Sequence, residues 1–290
     1  MTEILITGGA GNFGRTLAGA LLSGDGRRLA VLDLPSRDFS FFEGQEGVRV
    51  ITGDILDLEA MVEAVRGMDV IFHLAAILPP ASEADRERTF RVNVEGTRAL
   101  VEACRRVNPE ALLVFASSIS VYGRAGGAVE FLGPDHPVNP DDIYAESKVE
   151  AERLIAASGQ PWVNLRISAI AIPEFLDPPD PWPFTPDQRI ELVALSDLVQ
   201  AMVSLVGTRE VVNKTVIISG GPSWRTTGSE YVRRWGEIME IPYEDMTFRD
   251  SPGWLSWYDS SASEDLLGYQ KTSLEAFWAE LARAVAEALA

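Results

Sequence analysis

Short apolar runs alternate with amphipathic stretches through the first half of the chain. Runs rich in Val, Ile and Leu that end at glycine or polar residues are typical of strands, whereas apolar residues three and four apart predict helices. This pattern predicts strands at 3–7, 29–34, 48–52, 70–74, 111–116 and 162–167, and helices at 12–22, 58–65, 82–106 and 139–158. Strands separated by helices predict an α/β fold of the Rossmann type, a doubly wound parallel sheet with helices on both faces.

The helix at 139–158 carries the clearest end signals. Asn139 is a suitable N-cap, Pro140 fits the first helical position, and the two aspartates that follow favour the positive end of the helix dipole. Gly159 is suited to end the helix. The sequence therefore predicts that this helix begins at Asn139.

The second half of the chain has a different character. Residues 173–186 are dense in proline and aromatic residues and predict an ordered loop. Further elements are predicted as a strand at 215–219 and helices at 196–206, 228–240 and 273–288. We expect a dinucleotide-binding domain at 1–168 and a small C-terminal substrate-binding lobe, mainly 169–290, interleaved with the last strands and helices of the sheet. Trp182 and Phe184 form either a substrate lid or a hydrophobic plug under the loop.

Composition narrows the class of partner. The 290 residues include 43 acidic and 25 basic side chains, and a net charge of −18 would repel phosphate backbones, so we expect no nucleic-acid partner. No apolar run approaches the roughly 20 residues of a membrane helix. No basic segment precedes Gly8, where glycines interrupt the N-terminal run. We therefore expect no membrane partner, no signal peptide and a cytoplasmic protein.

Cysteine and histidine are scarce. Cys104 is the only cysteine and lies in a helix-like stretch, which favours a packed or half-exposed helix residue over a nucleophile and excludes an internal disulfide. The two histidines, His73 and His136, lack metal-ligand spacing, so we expect no metal site.

The first predicted strand runs through a glycine-rich turn into the first helix. Gly8, Gly11 and Gly14 have the spacing G-x-x-G-x-x-G. The first glycine permits a tight turn, the second lets backbone approach a pyrophosphate, and the third lets the helix pack closely on the strand. Asn12 and Phe13 lie at the helix N-terminus, where free N–H groups attract phosphate. The turn therefore predicts a dinucleotide site.

Asp33 ends the second predicted strand, about 20 residues after the glycine turn. A carboxylate there accepts hydrogen bonds from the adenosine ribose and repels a 2′-phosphate, which favours NAD over NADP, although nearby Arg37 could soften the preference. Ligands of open α/β sheets bind at the carboxyl ends of the strands. Further cofactor contacts are therefore expected at the ends of the third and fourth strands, namely Asp54, Ile55, Leu74, Ala75 and Ala76.

A candidate catalytic set follows the fifth strand. Tyr144 and Lys148 are four residues apart on one predicted helix and share a face. An ammonium about 4 Å from a phenol, at an effective dielectric of about 20, favours the phenolate by roughly 4 kcal/mol and lowers the tyrosine pKa by about three. Such a tyrosine exchanges a proton with a substrate hydroxyl near neutral pH, while Ser118 holds the same oxygen.

Together these motifs resemble the extended short-chain dehydrogenase/reductase family, the NAD-dependent epimerase/dehydratase group. The residues that carry the resemblance are TGGAGNFG at 7–14, Asp33, GDILD at 53–57, HLAA at 73–76, NVEGT at 93–97, FASSISVYG at 115–123 and YAESK at 144–148. The resemblance implies that Ser118, Tyr144 and Lys148 are catalytic and that Asn93 supports the active site. Asn93, Tyr144 and Lys148 are also expected to belong to the cofactor-binding set. It also implies a homodimer formed through the helices at 82–106 and 139–158.

The departures from the family pattern bear on the substrate. The family's 4,6-dehydratases carry an Asp-Glu pair where this chain has Ile119 and Ser120, which argues against sugar dehydration. Ala169 stands about where nucleotide-sugar epimerases have an asparagine, and the usual nucleotide-clasping insertion is reduced to the loop at 173–186. Both features favour a smaller alcohol, carbonyl or sugar acid. Arg189 and Arg225 are candidate anion contacts, or else surface arginines.

Three functions remain open at this point. The first is hydride transfer between NAD and a secondary alcohol or ketone of a small, sugar-like or sugar-acid substrate. The second is a nucleotide-sugar epimerase, in which the cofactor is reduced and reoxidised within one turnover by the same residues. The third is a noncatalytic NAD(P)-binding sensor, which the presence of both Tyr144 and Lys148 disfavours.

Overall fold

The computed structural model describes residues 1–124 and 129–290. Two compact units make up the chain: the first contains 1–121, 140–165 and 205–215, and the second contains 122–139, 166–204 and 216–290. No helix within the described ranges is both long enough and apolar enough to cross a membrane. The expected division at residue 168 into a cofactor domain and a substrate lobe stays a prediction.

Eleven strands and ten α-helices are present in the described residues. The strands are β1 (Thr2–Thr7), β2 (Arg27–Asp33), β3 (Val48–Thr52), β4 (Val70–His73), β5 (Leu112–Ser118), β6 (Trp162–Ile167), β7 (Ala169–Ala171), β8 (Arg189–Ile190), β9 (Leu192–Ala194), β10 (Lys214–Ile218) and β11 (Thr226–Thr227). The helices are α1 (Asn12–Leu22), α2 (Leu58–Val65), α3 (Ala81–Ala84), α4 (Arg86–Phe90), α5 (Gly96–Val107), α6 (Ile143–Ala156), α7 (Leu195–Leu205), α8 (Gly228–Met239), α9 (Ser261–Leu267) and α10 (Leu274–Ala288).

Seven strands form the main sheet in the order β10-β6-β5-β4-β1-β2-β3. The pairs β1–β2, β2–β3, β1–β4 and β4–β5 are parallel. The chain moves outward from β1 to β3 and then crosses back to β4 on the other side of β1. The predicted Rossmann-type sheet is thereby confirmed, and its strand order reverses between β1 and β4, where such sheets bind ligands.

One face of this sheet packs against α2, α5 and α6. Leu5, Ile71 and Leu113 point from the strands into a continuous buried cluster that also contains Ile155 of α6. Cys104 of α5 is fully buried in the same cluster, and burial raises the pKa of its thiol to about 11. The prediction of a packed helix residue is confirmed for Cys104.

Two predicted helices have different bounds in the structure. The helix predicted at 82–106 is interrupted at Asp85, whose backbone is extended and whose carboxylate accepts from the Arg88 N–H, so it ends α3 and caps α4. A π-helical turn at Arg91–Glu95 then leads into α5. The predicted start at Asn139 is wrong as well, because Asp142 is the N-cap of α6 and its carboxylate accepts from the Ala145 N–H.

The second unit contains short elements that carry no clear sequence period. Strands β7 and β9 pair with each other, as do β8 and β11, and neither these pairs nor α9 was predicted. Trp182 and Phe184 are almost fully buried there, and Trp182 packs edge-on against Tyr231 and Trp235. The burial of both rings favours the plug over the lid.

Candidate active site

The glycine turn joins β1 to α1 in a conformation that requires glycine. Gly8 has a φ of +72°, and a Cβ there would lie 2.8 Å from the Ala75 nitrogen. A Cβ on Gly14 would lie 2.6 Å from the Cα and carbonyl oxygen of Gly9, so the helix packs directly on the turn. A Cβ on Gly11 would meet a single atom within 4 Å, the Gly8 oxygen at 3.3 Å. Internal packing therefore explains Gly8 and Gly14, whereas the space beside Gly11 is open.

The N-terminus of α1 has no cap from a side chain. Its N-cap is Gly11, which has no side chain to cap the helix, and its first turn contains no acidic residue. Side chains cap several other helices, with Asp57 on α2, Thr227 on α8 and Ser273 on α10. The first N–H groups and the positive dipole end of α1 are thus left to a ligand with negative charge, as the dinucleotide prediction requires.

Asp33 lies where the prediction needs it, at the carboxyl end of β2 and against the glycine turn. Its carboxylate accepts from the Ala10 N–H at 3.1 Å and from the Leu34 N–H at 2.8 Å. Arg37 lies on the same carboxylate, with its Nε 3.7 Å from Oδ1. The negative charge of Asp33 is therefore fixed beside the turn, and Arg37 is near enough to modulate it.

The ends of β3 and β4 hold the other predicted cofactor contacts. Asp54 accepts from the Leu56 N–H and so closes its own turn. Ile55 is buried against Gly96, where a Cβ would lie 2.4 Å from the Ile55 side chain. Leu74, Ala75 and Ala76 follow β4 and are half-buried, and Ala75 directly faces Gly8. A cofactor-binding role for these five residues stays a prediction.

His73 lies at the centre of a buried chain of hydrogen bonds. Thr97 donates its hydroxyl hydrogen to the Asn93 carbonyl at 2.6 Å, so His73 Nε2 must carry a hydrogen and donate to Thr97 at 2.9 Å. Nδ1 then accepts from Thr7 at 2.7 Å. Burial lowers the pKa of His73 to about 3, and the nearby Lys148 cation acts in the same direction. His73 is therefore neutral and holds the end of β1 to the helical segment around Asn93.

Asn93 lies in the π-helical turn and is buried. Its amide nitrogen donates to the Ile77 carbonyl at 3.1 Å and to Ser147 Oγ at 3.0 Å, while its oxygen accepts from the Ile77 N–H at 2.7 Å. This amide braces the segment after β4 against α6. The contacts fit the supporting role that the resemblance implied, and direct contact with a cofactor stays a prediction.

Sequence reasoning missed Glu83, which completes the first turn of α6. Its carboxylate accepts from the N–H groups of Ile143 and Tyr144, each at 3.0 Å, and Asp142 takes the third, that of Ala145, at 2.7 Å. Glu83 is 60 residues from Ile143 along the chain, so no local pattern could reveal the contact. Two carboxylates thus fix the turn that carries Tyr144.

Tyr144 and Lys148 share a face of α6, as their spacing predicted. Lys148 is buried, donates to the Ala116 carbonyl of β5 at 2.7 Å, and has its Nζ 5.5 Å from the centre of the Tyr144 ring. Ser118 is the last residue of β5, is half-buried and accepts from the Ser120 N–H at 3.1 Å. Of the three predicted catalytic residues, Ser118 therefore lies at the end of β5, and Tyr144 and Lys148 lie on α6, which is bound to β5 through Lys148.

The electrostatics of this pair differ from the expectation. Burial lowers the pKa of Lys148 to about 7. Burial also raises the pKa of the Tyr144 phenol well above its ordinary value, and the Asp142 carboxylate raises it further. The expected fall in the tyrosine pKa is therefore wrong for the chain alone, because desolvation and the Asp142 carboxylate both raise it.

The two candidate anion contacts lie in the second unit and have protein partners. Arg225 Nε lies 3.2 Å from the fully buried carboxylate of Glu191, and its guanidinium stacks on Phe131. Arg189 stacks on Trp257, with 4.9 Å between the guanidinium carbon and the ring centre. Arg225 therefore compensates a buried charge of the fold, which leaves it unsuited to anchor a substrate anion.

No group of three or more His, Cys, Asp or Glu side chains that could hold a metal ion is present in residues 1–124 and 129–290. Residues 4–180 match the family profile described as the NAD dependent epimerase/dehydratase family. The chain belongs to this family. The match contains the glycine turn, Asp33, Asn93, Ser118 and the Tyr144–Lys148 pair, so it covers every predicted cofactor and catalytic residue.

Curated relatives align over about half of the chain. The D-erythronate dehydrogenase of Cupriavidus necator is 35% identical over 162 residues, which are 53% of this chain and 49% of that protein. A 3 beta-hydroxysteroid dehydrogenase/Delta 5-->4-isomerase of Mycobacterium tuberculosis is 37% identical over 162 residues, 53% of this chain and 42% of that protein. The aligned part thus spans about half the length of these relatives.

Solved structures of other proteins share the fold over almost the whole chain. The dTDP-glucose 4,6-dehydratase of Bacillus anthracis has a TM-score of 0.82 at 18% identity, covering 99% of this chain and 97% of that chain. The UDP-glucuronic acid 4-epimerase of Bacillus cereus has a TM-score of 0.82 at 21% identity, covering 99% and 100%. Both were crystallised with NAD.

Proposed function

We propose that this chain transfers hydride between NAD and a secondary alcohol or ketone of a small, sugar-like or sugar-acid substrate. The observation that carries the proposal is the placement of Tyr144 and Lys148 on one face of α6, with Lys148 bound to β5 at Ala116, two residues before Ser118. Both curated relatives described above have dehydrogenase names, and one of them acts on a sugar acid by name.

The glycine turn fits NAD. The open space beside Gly11 and the uncapped start of α1 would receive the pyrophosphate, and the fixed carboxylate of Asp33 would receive the adenosine ribose. Asp33 would also repel a 2′-phosphate, which supports NAD over NADP. Bound NAD supplies the hydride acceptor or donor in its nicotinamide ring, whose positive charge in the oxidised form favours a nearby phenolate.

The residues of this chain would handle the proton. In the oxidative direction Tyr144, as the phenolate, takes the proton of the substrate hydroxyl, and Ser118 donates a hydrogen bond to the same oxygen. The Lys148 ammonium stabilises the phenolate, and its hydrogen bond to Ala116 keeps it at the end of β5. In the reductive direction the Tyr144 phenol returns a proton to the carbonyl oxygen.

Two measurements test the proposal. Binding of NAD and NADP is measured separately by thermal shift, and turnover on a panel of aldonic acids, polyols and hydroxysteroids is followed at 340 nm. We expect Tyr144→Phe to bind NAD normally and to lose about 10²- to 10⁴-fold in kcat. Tyr243→Phe, in the second unit, removes a phenol hydroxyl elsewhere and should leave kcat unchanged.

The outcomes separate the alternatives. No response to either nucleotide, or a Tyr144→Phe variant with full kcat, would refute the proposal. NAD that copurifies and does not exchange would instead favour an epimerase with an internal redox cycle. The homodimer and the cytoplasmic location expected from the sequence are further parts of the proposal, and sedimentation analysis tests the dimer.

A further inference from the structure

A third side chain, that of Glu152, lies on the same face of α6 as Tyr144 and Lys148. Glu152 lies four residues beyond Lys148 on α6, so the three residues occupy successive turns of one helix face. The Glu152 side chain is buried, with an exposed fraction of 7%. A buried carboxylate needs partners, because desolvation of its charge is otherwise very unfavourable.

Both buried charges of this face are bound to consecutive residues of β5. Glu152 accepts a short hydrogen bond of 2.5 Å from Ser117 Oγ, and Lys148 donates to the Ala116 carbonyl. Ser118 is the next residue after Ser117 and ends the strand. The helix that carries Tyr144 is thus held to the strand that carries Ser118 by a carboxylate and an ammonium, one helical turn apart.

We propose that Glu152 is a positioning residue that keeps the buried Lys148 side chain protonated and holds α6 against the end of β5 beside Ser118. The inference rests on the proposed function only for its effect on turnover. The carbonyl of Ala116 is a neutral partner and cannot balance a buried ammonium, whereas the carboxylate one turn away supplies the opposite charge.

The electrostatic surroundings of Lys148 agree with this role. Burial lowers the pKa of Lys148 to about 7, and the Glu152 carboxylate opposes that fall. His73 on β4 also interacts with Lys148, but its pKa of about 3 keeps it neutral, and the Tyr144 phenol on the same helix is neutral because its pKa is raised. Glu152 is therefore the negative charge on which the protonated state of Lys148 depends.

The decisive experiment is a titration of Lys148 that needs neither cofactor nor substrate. The chain contains three lysines, Lys148, Lys214 and Lys271, so ¹³Cε-lysine labelling gives three NMR signals, which Lys214→Arg and Lys271→Arg assign. Glu152→Gln keeps an oxygen that accepts from Ser117 and removes the charge. We expect it to lower the Lys148 pKa by about one, because it removes the negative charge that opposes the effect of burial.

Matched variants separate charge from structure. Glu150→Gln makes the same change on α6 at a residue whose side chain is 45% exposed and is paired with Arg153, and it should leave the Lys148 pKa where it is in the unaltered protein. Glu152→Asp keeps the charge and should restore most of the Lys148 pKa. If Glu152→Gln does not fold, Glu152→Met takes its place: it also removes the charge, its apolar side chain needs no hydrogen-bond partner when buried, and it should lower the Lys148 pKa in the same way.

An unchanged Lys148 pKa in Glu152→Gln, or in Glu152→Met where that variant is needed, overturns the inference. A fall of equal size in Glu150→Gln also overturns it, since the effect would then be general. Where turnover is found, lowering the Lys148 pKa from about 7 to about 6 cuts its protonated fraction at pH 7 from about half to about one tenth, so kcat at pH 7 should fall about fivefold. Absence of turnover in the unaltered protein would count against the proposed function and leave the titration result standing.

Discussion

Glu83 offers a sharp test of how the first turn of α6 is fixed. Its carboxylate accepts from the N–H groups of Ile143 and Tyr144, both at 3.0 Å, and receives a third hydrogen bond from Ser82 Oγ at 2.9 Å. Loss of a side-chain cap costs about 0.5–2 kcal/mol, and a negative charge near a helix N-terminus contributes about 0.3–1 kcal/mol at an exposed site. Glu83 is exposed, so the low end of each range applies: about 0.5 kcal/mol for each of the two N–H groups that it caps and about 0.3 kcal/mol for its charge.

We expect Glu83→Ala to destabilise this turn by about 1–1.5 kcal/mol, and Glu83→Gln, which keeps one acceptor oxygen, by about half of that. The assay is hydrogen exchange of the Ile143 and Tyr144 amides by NMR. A loss of about 1.4 kcal/mol in local stability speeds exchange about tenfold. The amide of Ala145, which is bonded to Asp142, should change least.

The same variants should affect turnover through the placement of Tyr144. We expect kcat to fall several-fold in Glu83→Ala with little change in NAD affinity, because small displacements of a catalytic group are costly while the glycine turn is untouched. Glu87→Gln, at an exposed acid in the first turn of α4, is the matched control. Unchanged exchange at Ile143 and Tyr144 in Glu83→Ala would show that Asp142 alone fixes the turn and would refute the reasoning.

Three further predictions concern Gly14, Asp33 and His73 in the first unit. Gly14→Ala places a Cβ 2.6 Å from Gly9 and should lower the free energy of unfolding, measured with urea, by about 1–3 kcal/mol. It should also abolish the thermal shift caused by NAD. Gly133→Ala, which has open space around it, should change neither measurement. Asp33→Asn removes a fixed charge while keeping its size, so the ratio of NADP to NAD affinity should rise about tenfold by calorimetry; an unchanged ratio contradicts the assigned role. In the folded chain His73 has a pKa of about 3, below its unfolded value near 6.5. The free energy of unfolding should therefore fall as the pH drops from about 6.5 towards 3. ¹⁵N NMR should show His73 neutral, with its hydrogen on Nε2, at pH 5–8. A His73 resonance that titrates near pH 6.5 would contradict this.

Elements that are specified locally were predictable from the sequence. The bounds of α1, α2, β3 and β6 agree with the predictions residue for residue, because each has a clear apolar period and a local start or stop signal. The glycine turn was equally readable, since the positive φ of Gly8 and the close contact of Gly14 arise within a few residues. Local chemistry decides these features, and the sequence displays it.

Features that depend on distant residues were not predictable. The start of α6 was predicted at Asn139 because Asn-Pro-Asp-Asp contains several possible N-caps in a row. In the structure the helix starts after Asp142, and Glu83 of α3 also binds the N–H groups of its first turn. The break at Asp85 was hidden because residues 82–89, Ser-Glu-Ala-Asp-Arg-Glu-Arg-Thr, contain no glycine or proline that would signal the end of a helix. In the second unit, the buried Glu191 accepts from Ser219 and Gly221 in one segment and from Tyr258 in another, and no spacing in the sequence predicts these contacts.

The pKa of Tyr144 shows most clearly what spacing leaves out. A tyrosine and a lysine four residues apart on a helix share a face, and from that face alone one expects a more acidic phenol. In the structure, burial and the Asp142 carboxylate instead raise the pKa of the Tyr144 phenol. Burial also lowers the pKa of Lys148 to about 7. The same desolvation therefore weakens both members of the pair in the chain alone. A positive charge close to the phenol, as oxidised NAD would bring, and the retention of the Lys148 proton by Glu152 both act against this loss, so the proton transfer at Tyr144 is expected to depend on cofactor occupancy as well as on the lysine.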